Sequence, residues 1–207
     1  MSVTWLRFTG SILLGGDSIT AGWLTLADGS TGGWRRDLET LLIAAGIRYD
    51  FVGPYNTDSG AMVDKDHFGL GGDTAANAKT AIGAQATAFR PAIVVHGWSA
   101  NDLGSGTPAA TVLDDIDATI DAAQAACAWS RHLVQTTVKP TSPHAYYANI
   151  AAYNTAAAAL PARVAAQGAR LVDVGAPVQG DLLHPDDATG YPAMAAAIYA
   201  TLVAVLA

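Results

Sequence analysis

Positive charge is scarce in this chain. Lysine and arginine number 11 against 18 aspartates and glutamates, for a formal net charge of −7. No basic run or stripe appears, which argues against a surface that tracks a nucleic-acid backbone. Cysteine is almost missing. Cys127 is the single one, in the apolar stretch 122–129. One thiol excludes an intrachain disulfide and a cysteine zinc site, and it reads as a small buried residue on a helix. Long hydrophobic runs are lacking too. Nothing reaches the roughly 20 unbroken apolar residues of a membrane span; the tail 193–207 comes closest and reads as a buried helix. Residues 1–9 lack the apolar core of a signal peptide. The expected location is therefore the cytoplasm if the chain is complete, and secretion if a leader has been removed.

What is present is the composition of a folded globule. Hydrophobic residues make up 51% and charged residues 14% of 207, which suits one domain, 1–207, with a sizeable core. Repeats, low-complexity tracts and linkers are not visible.

Five short runs rich in Val, Ile and Leu mark strands at 11–14, 48–52, 92–96, 132–136 and 170–174. Four show no polar alternation, as expected of strands covered on both faces of a parallel sheet. The run 48–52 alternates more and is placed at an edge. Helical patterns fill the intervals at 34–45, 74–89, 108–126, 145–167 and 188–206. Pro161 lies inside the fourth, so a break or kink is expected near Leu160. Strand and helix alternate throughout, which implies a doubly wound α/β sandwich with a parallel sheet. The longest irregular stretch is 53–73, and loops of that length are often functional.

Four segments stand at strand ends or in loops along one edge of such a sheet, the carboxyl edge where open α/β sheets place their ligands. They are Gly16-Asp17-Ser18, Gly69-Leu70-Gly71-Gly72-Asp73-Thr74, Ser99-Ala100-Asn101-Asp102 and Asp181-Leu182-Leu183-His184-Pro185. Together they suit acyl transfer. A serine hydroxyl needs a neutral imidazole to take its proton, and His184 is the candidate for Ser18. Asp181, three residues earlier, can hold the other ring nitrogen. The Ser18 and Gly72 N–H groups and the Asn101 amide are the natural donors to an oxyanion. Phosphate chemistry would ask for basic groups that the segments lack.

Plainer readings stand beside these. Ser18 alone is a turn residue or a helix cap. Asp17 and Asp102 read as capping or structural partners. Asp186 and Asp187 read as first-turn acids of the last helix rather than as metal ligands with His184, and no metal is expected. His67, Leu70 and Trp98 are the candidates for substrate contact, with His67 open between that role and surface exposure, and Trp98 able to line an acyl pocket. His96 reads as a core histidine, His132 and His144 as peripheral. Trp23, Trp34 and Tyr55 either rim a cleft or pack the core.

Taken in order and spacing, the blocks Gly-Asp-Ser-Ile-Thr, Gly-Gly-Asp-Thr, Asn-Asp and Asp-x-x-His-Pro resemble the SGNH/GDSL hydrolase superfamily from Gly16 to His184. The resemblance implies a flavodoxin-like three-layer sandwich, a five-stranded parallel sheet in the order 2-1-3-4-5, ester hydrolysis and no cofactor. It assigns Ser18 as nucleophile, Asp181 and His184 as the rest of the triad, and Gly72 and Asn101 as completing the oxyanion hole. One departure stands out: Ser99 occupies the position where the third block carries glycine, which bears on the local backbone angle. Residues 67–72 are loosely similar to the second block of carbohydrate acetyl esterases in the superfamily. The expected substrate is thus a small ester with a short acyl group, such as acetyl on a sugar. The alternatives are a thioesterase or lysophospholipase-like acylhydrolase, an acyltransferase, and, from another class, a non-catalytic carbohydrate-binding module.

Overall fold

In the computed structural model, residues 10–23, 31–56 and 62–207 are described. The N-terminal stretch 1–9 and part of the long irregular segment, 57–61, lie outside them. Strands β1 (Ser11–Gly16), β2 (Asp50–Val52), β3 (Phe68–Gly69), β4 (Ile93–Gly97), β5 (Arg131–Gln135) and β6 (Arg170–Val172) form one sheet. Every pairing in it is parallel, and the path runs β2-β1-β4-β5-β6. The five expected strands are all present, in the expected order, with the 48–52 run at the edge. The two-residue β3 is additional. It takes the far half of the same β1 edge, pairing Gly15 and Gly16, while β2 pairs Ser11 to Leu13.

Helices cover both faces, as apolar strands without alternation require. Along β1, Leu13 points to a core that includes Ile82, Ile116 and Ile120 from α3 (Ala75–Phe89) and α5 (Ala109–Ala126), and Leu160 and Val164 from α6 (Ile150–Ala166). Ile12 and Leu14 point the other way, to Trp34, Leu38 and Leu42 of α2 (Gly33–Ala44) and Ile198 and Leu202 of α7 (Gly190–Leu206). Each such side chain buried contributes about 1.5–3 kcal/mol. Trp34 is thereby a core residue and not a cleft rim. No helix among the described residues is long and apolar enough to cross a membrane.

Two short helices, α1 (Ser18–Ala21) and α4 (Ala100–Gly104), follow β1 and β4 directly, and both carry site residues. Of the break or kink expected near Leu160, the break does not occur. The α6 helix runs through Pro161, because proline removes only the bond to the Ala157 carbonyl and both residues line an open surface groove where water can reach it. The irregularity falls earlier, where a 3-10 turn, Ala145–Asn149, precedes Ile150.

Candidate active site

β1 ends in two glycines because the next turn is crowded. A Cβ on Gly15 would run into the Trp98 ring; one on Gly16 would meet Thr20 Oγ1 and lie 2.9 Å from the Gly97 carbonyl. Asp17 then caps α1, its Oδ1 accepting from the Ile19 N–H at 2.9 Å. This is the capping role expected of it. Burial pushes its carboxyl up to about 7, with the Asp102 and Asp73 carboxylates adding to the shift. Ser18 is the first residue of α1 and only 6% exposed.

The partner of Ser18 arrives from a turn far along the chain. Leu182 takes φ +75 there, a left-handed angle. The turn folds around the Asp181 carboxylate: Oδ1 accepts from the Leu183 N–H at 3.1 Å and the His184 N–H at 2.7 Å. Its Oδ2 lies 2.8 Å from His184 Nδ1, and His184 Nε2 lies 2.9 Å from Ser18 Oγ. Burial alone would raise the Asp181 carboxyl, but the His184 backbone and ring and the Leu183 N–H outweigh it and hold it below its usual range. A carboxylate facing Nδ1 places the ring proton there and leaves Nε2 as the acceptor toward the hydroxyl. An imidazole held this way can take the serine proton and return it. The Trp23 ring stands 6.3 Å from the His184 ring.

The residues after His184 have separate work. Asp186 Oδ1 accepts from the Thr189 and Gly190 N–H groups at the start of α7. Asp187 pairs with Arg36 at 2.8 Å.

Gly72 and Asn101 sit on two segments that are tied together. The Leu70 N–H donates to the Gly16 carbonyl, and the Asp73 N–H closes a turn on the Leu70 carbonyl, each at 3.1 Å. Gly72 occupies the third position of that turn with φ +77, where glycine carries no penalty. Asn101 Nδ2 donates to the Asp73 carbonyl at 2.8 Å, and its Oδ1 accepts from the Tyr146 hydroxyl at 3.3 Å. These two bonds fix the amide and leave its second N–H hydrogen available. Neither the Ser18 nor the Gly72 N–H donates to another described residue. Asp102 fills the structural role expected of it, accepting from the Ala75 N–H at 3.0 Å.

Ser99 resolves the departure noted in the sequence. Its φ is +150, so the backbone keeps an angle that favours glycine and a serine bears it. Its hydroxyl lies 2.6 Å from Thr137 Oγ1, a bond that offsets part of the strain.

Two of the residues expected to contact substrate are buried. Trp98 is 4% exposed; it packs beneath β1 against Phe68 and His96 and donates Nε1 to Asp73 Oδ2 at 3.1 Å. It falls on the same side of the sheet as Val94, in the core under α3 and α5. His67 is fully buried, with Nδ1 accepting from the Gly69 N–H at 2.9 Å. It fixes the entry to the Gly72 loop. Leu70 is 48% exposed on that loop. His132 is not peripheral: it is 4% exposed and 3.0 Å from His96. Tyr55 is half-buried and lies against His67 and Phe68.

The sequence reading left Trp23 open between cleft rim and core, and missed Tyr146 and Arg35. Arg35 is 0% exposed, and its guanidinium donates to the carbonyls of Thr20, Ala21 and Lys65. The signal for it was a charged pair, Arg35 and Glu39, one helical turn apart beside the apolar stripe Trp34, Leu38, Leu42.

A family model described as GDSL-like Lipase/Acylhydrolase matches residues 15–193. The chain belongs to this family. It is a carboxylic ester hydrolase. No curated protein matches it in sequence. Among solved structures it resembles a carbohydrate esterase family 3 protein from Talaromyces cellulolyticus, with 22% identity, TM-score 0.80, and 95% of this chain and 97% of that chain covered. A family 3 carbohydrate esterase from Clostridium thermocellum gives 24% identity, TM-score 0.79 and coverages of 96% and 98%. An acetyl esterase solved with an acetate ion gives 23%, 0.78, 95% and 97%. These likenesses show the α/β fold of the family with its parallel sheet between helices.

Proposed function

We propose that this GDSL-family hydrolase is a single-domain serine esterase, over residues 1–207, that removes short acyl groups, acetyl above all, from carbohydrate esters. The observation that carries the reading is the line from Asp181 Oδ2 through His184 to Ser18 Oγ, with contacts of 2.8 and 2.9 Å. Ser18 Oγ attacks the ester carbonyl carbon as His184 Nε2 takes the hydroxyl proton. Asp181 stabilises the imidazolium that forms. The carbonyl oxygen becomes an anion, met by the Ser18 N–H, the Gly72 N–H and the free hydrogen on Asn101 Nδ2. Such donors are worth about 3 kcal/mol each in the transition state. The intermediate collapses, the C–O bond to the alcohol breaks, and His184 gives its proton to the leaving oxygen. Water then attacks the acyl-Ser18 carbonyl by the same route and releases the acid. No cofactor takes part in these steps.

The acetyl-on-sugar reading draws support from what the structural neighbours are: two carbohydrate esterases and an acetyl esterase. Leu70, exposed on the Gly72 loop, and Trp23, beside His184, are the proposed contacts for the substrate.

A fluorophosphonate probe is expected to label Ser18, and Ser18→Ala should abolish turnover of nitrophenyl acetate. Wild-type rates from Ser18→Ala would end the triad assignment. Across nitrophenyl esters of rising chain length, rates should peak at acetyl or the next few homologues, with acetylated sugars turned over as well. A maximum at eight carbons or beyond would instead mean a long-chain acylhydrolase.

A further inference from the structure

Among the described residues the guanidinium of Arg35 is buried with no carboxylate in contact, and Glu39 and Asp64 act on it only at longer range. Among the described residues no acidic side chain lies within salt-bridge distance of it. Its bonds to described residues all go to backbone carbonyls: Nε to Thr20 at 2.8 Å, Nη2 to Ala21 at 3.1 Å and Nη1 to Lys65 at 3.0 Å. Burial lowers it only to about 10, so it stays charged at neutral pH. A buried cation is expensive, and an apolar side chain of similar size would fill the same space at less cost. What an apolar side chain cannot do is bind three carbonyls in one plane.

Those carbonyls belong to two separate parts of the site. Thr20 and Ala21 end α1, the four-residue helix that begins with Ser18. So short a helix has little stability of its own, and its last carbonyls have no intrahelical donors. Lys65 lies just before His67 and β3, whose chain continues into the Gly72 turn. One turn along α2, Glu39 accepts from the Val63 and Asp64 N–H groups at 2.9 and 2.8 Å. The helix thus holds the approach to the Gly72 loop at two points and the Ser18 turn at one.

We propose that Arg35 is a positioning residue for ester hydrolysis: its guanidinium fixes the Ser18 turn against the strand leading to Gly72, so that nucleophile and oxyanion donors keep one geometry. This rests on the triad reading above. Displacing reacting groups by about 1 Å can lower a rate roughly 100-fold. Loss of Arg35 should therefore act on kcat and leave KM nearly unchanged, since Arg35 is buried away from substrate.

The test compares Arg35→Met, Arg35→Lys and wild type on nitrophenyl acetate. Each kcat is divided by active sites counted by fluorophosphonate labelling, so an unfolded fraction cannot imitate the effect. Arg35→Met is expected to lose about 100-fold in kcat with KM within about twofold. Arg35→Lys, a point charge in place of a planar fork, should fall between. If Arg35→Met does not fold, Arg35→Lys decides: a tenfold or greater loss in kcat at unchanged melting temperature supports the role, and wild-type kcat overturns it. A folded Arg35→Met with wild-type kcat overturns it as well, and so does a loss seen only in KM. Ser18→Ala separates the two readings. If it is active, the triad assignment fails; if it is dead while Arg35 variants keep full kcat, only the positioning role fails.

Discussion

Two pairs involving buried histidine, one on a loop and one in the sheet, do opposite things. His184 is 2% exposed with a carboxylate 2.8 Å from Nδ1 and a hydroxyl 2.9 Å from Nε2. His96 and His132, on neighbouring strands, are 2% and 4% exposed and face each other at 3.0 Å. Their outer nitrogens, His96 Nδ1 and His132 Nε2, find no partner among the described residues. Burial, and then the neighbouring His132 ring, holds His96 well below the ordinary histidine range. Burial brings His132 to about 4. Both therefore stay neutral at physiological pH, yet neither has a carboxylate to orient it or a hydroxyl to serve. The contrast shows that burial alone does not make a histidine a base. A proton donor on one side and an acceptor on the other do; here the start of α1 supplies the donor and a loop the acceptor, while the strands supply neither.

The largest expected effect comes from giving His184 the deficiency of the other pair. Asp181→Asn keeps the shape but can present its amide N–H to Nδ1 and favour the wrong ring tautomer. A loss of roughly 10⁴-fold in kcat is expected, by analogy with other triads. The melting temperature should hardly move if the asparagine oxygen keeps the Leu183 and His184 N–H bonds. Steady-state kinetics beside a thermal scan checks both. Full activity in Asp181→Asn would mean that the carboxylate is a turn cap and no more.

The reverse experiment should spare activity and affect stability. His132→Leu leaves His96 Nε2 without its one partner, and a buried polar atom so stranded costs about 1–3 kcal/mol. Removing both rings, His96→Leu with His132→Leu, should cost less than the sum of the single changes, because both polar partners go together. Denaturant unfolding of the four proteins closes the double-mutant cycle. Strict additivity would mean that the 3.0 Å contact contributes nothing.

Much of this was readable beforehand, for reasons that also mark the limit. A parallel sheet covered on both faces followed from apolar runs too continuous for one-sided burial, its strand order from the family resemblance, and the four site segments from glycines and polar residues at their ends. Phe68–Gly69 escaped because two residues carry no period. Trp98 and His67 were placed at the site by proximity in sequence, but the face a strand-end residue takes is set by alternation counted from Val94, and it sends Trp98 inward. Arg35 was hidden for the opposite reason: a charge on a helix reads as solvated until the carbonyls that bind it are brought near by the fold. His132 was hidden likewise, because its partner His96 comes from a neighbouring strand that only the fold brings near.

The smallest effect is a slope. In the unfolded chain His96 and His132 bind protons below their ordinary pKa of about 6.5. In the folded chain they resist, His132 down to about 4. Acid therefore draws the protein toward the unfolded state: their contribution is intact above about pH 6.5 and declines as pH falls, by up to about 1.4 kcal/mol per pH unit for each ring. Asp17 works in the other direction. Its carboxyl is raised to about 7 in the folded protein, so between that pH and its unfolded value it takes a proton only when folded, and acid favours folding there. The wild-type curve mixes both. The difference in unfolding free energy between wild type and the double leucine variant, followed from pH 7 to pH 5, isolates the histidines. Wild type should lose ground relative to the variant on acidification; parallel curves would mean that the strand pair takes its protons as readily folded as unfolded.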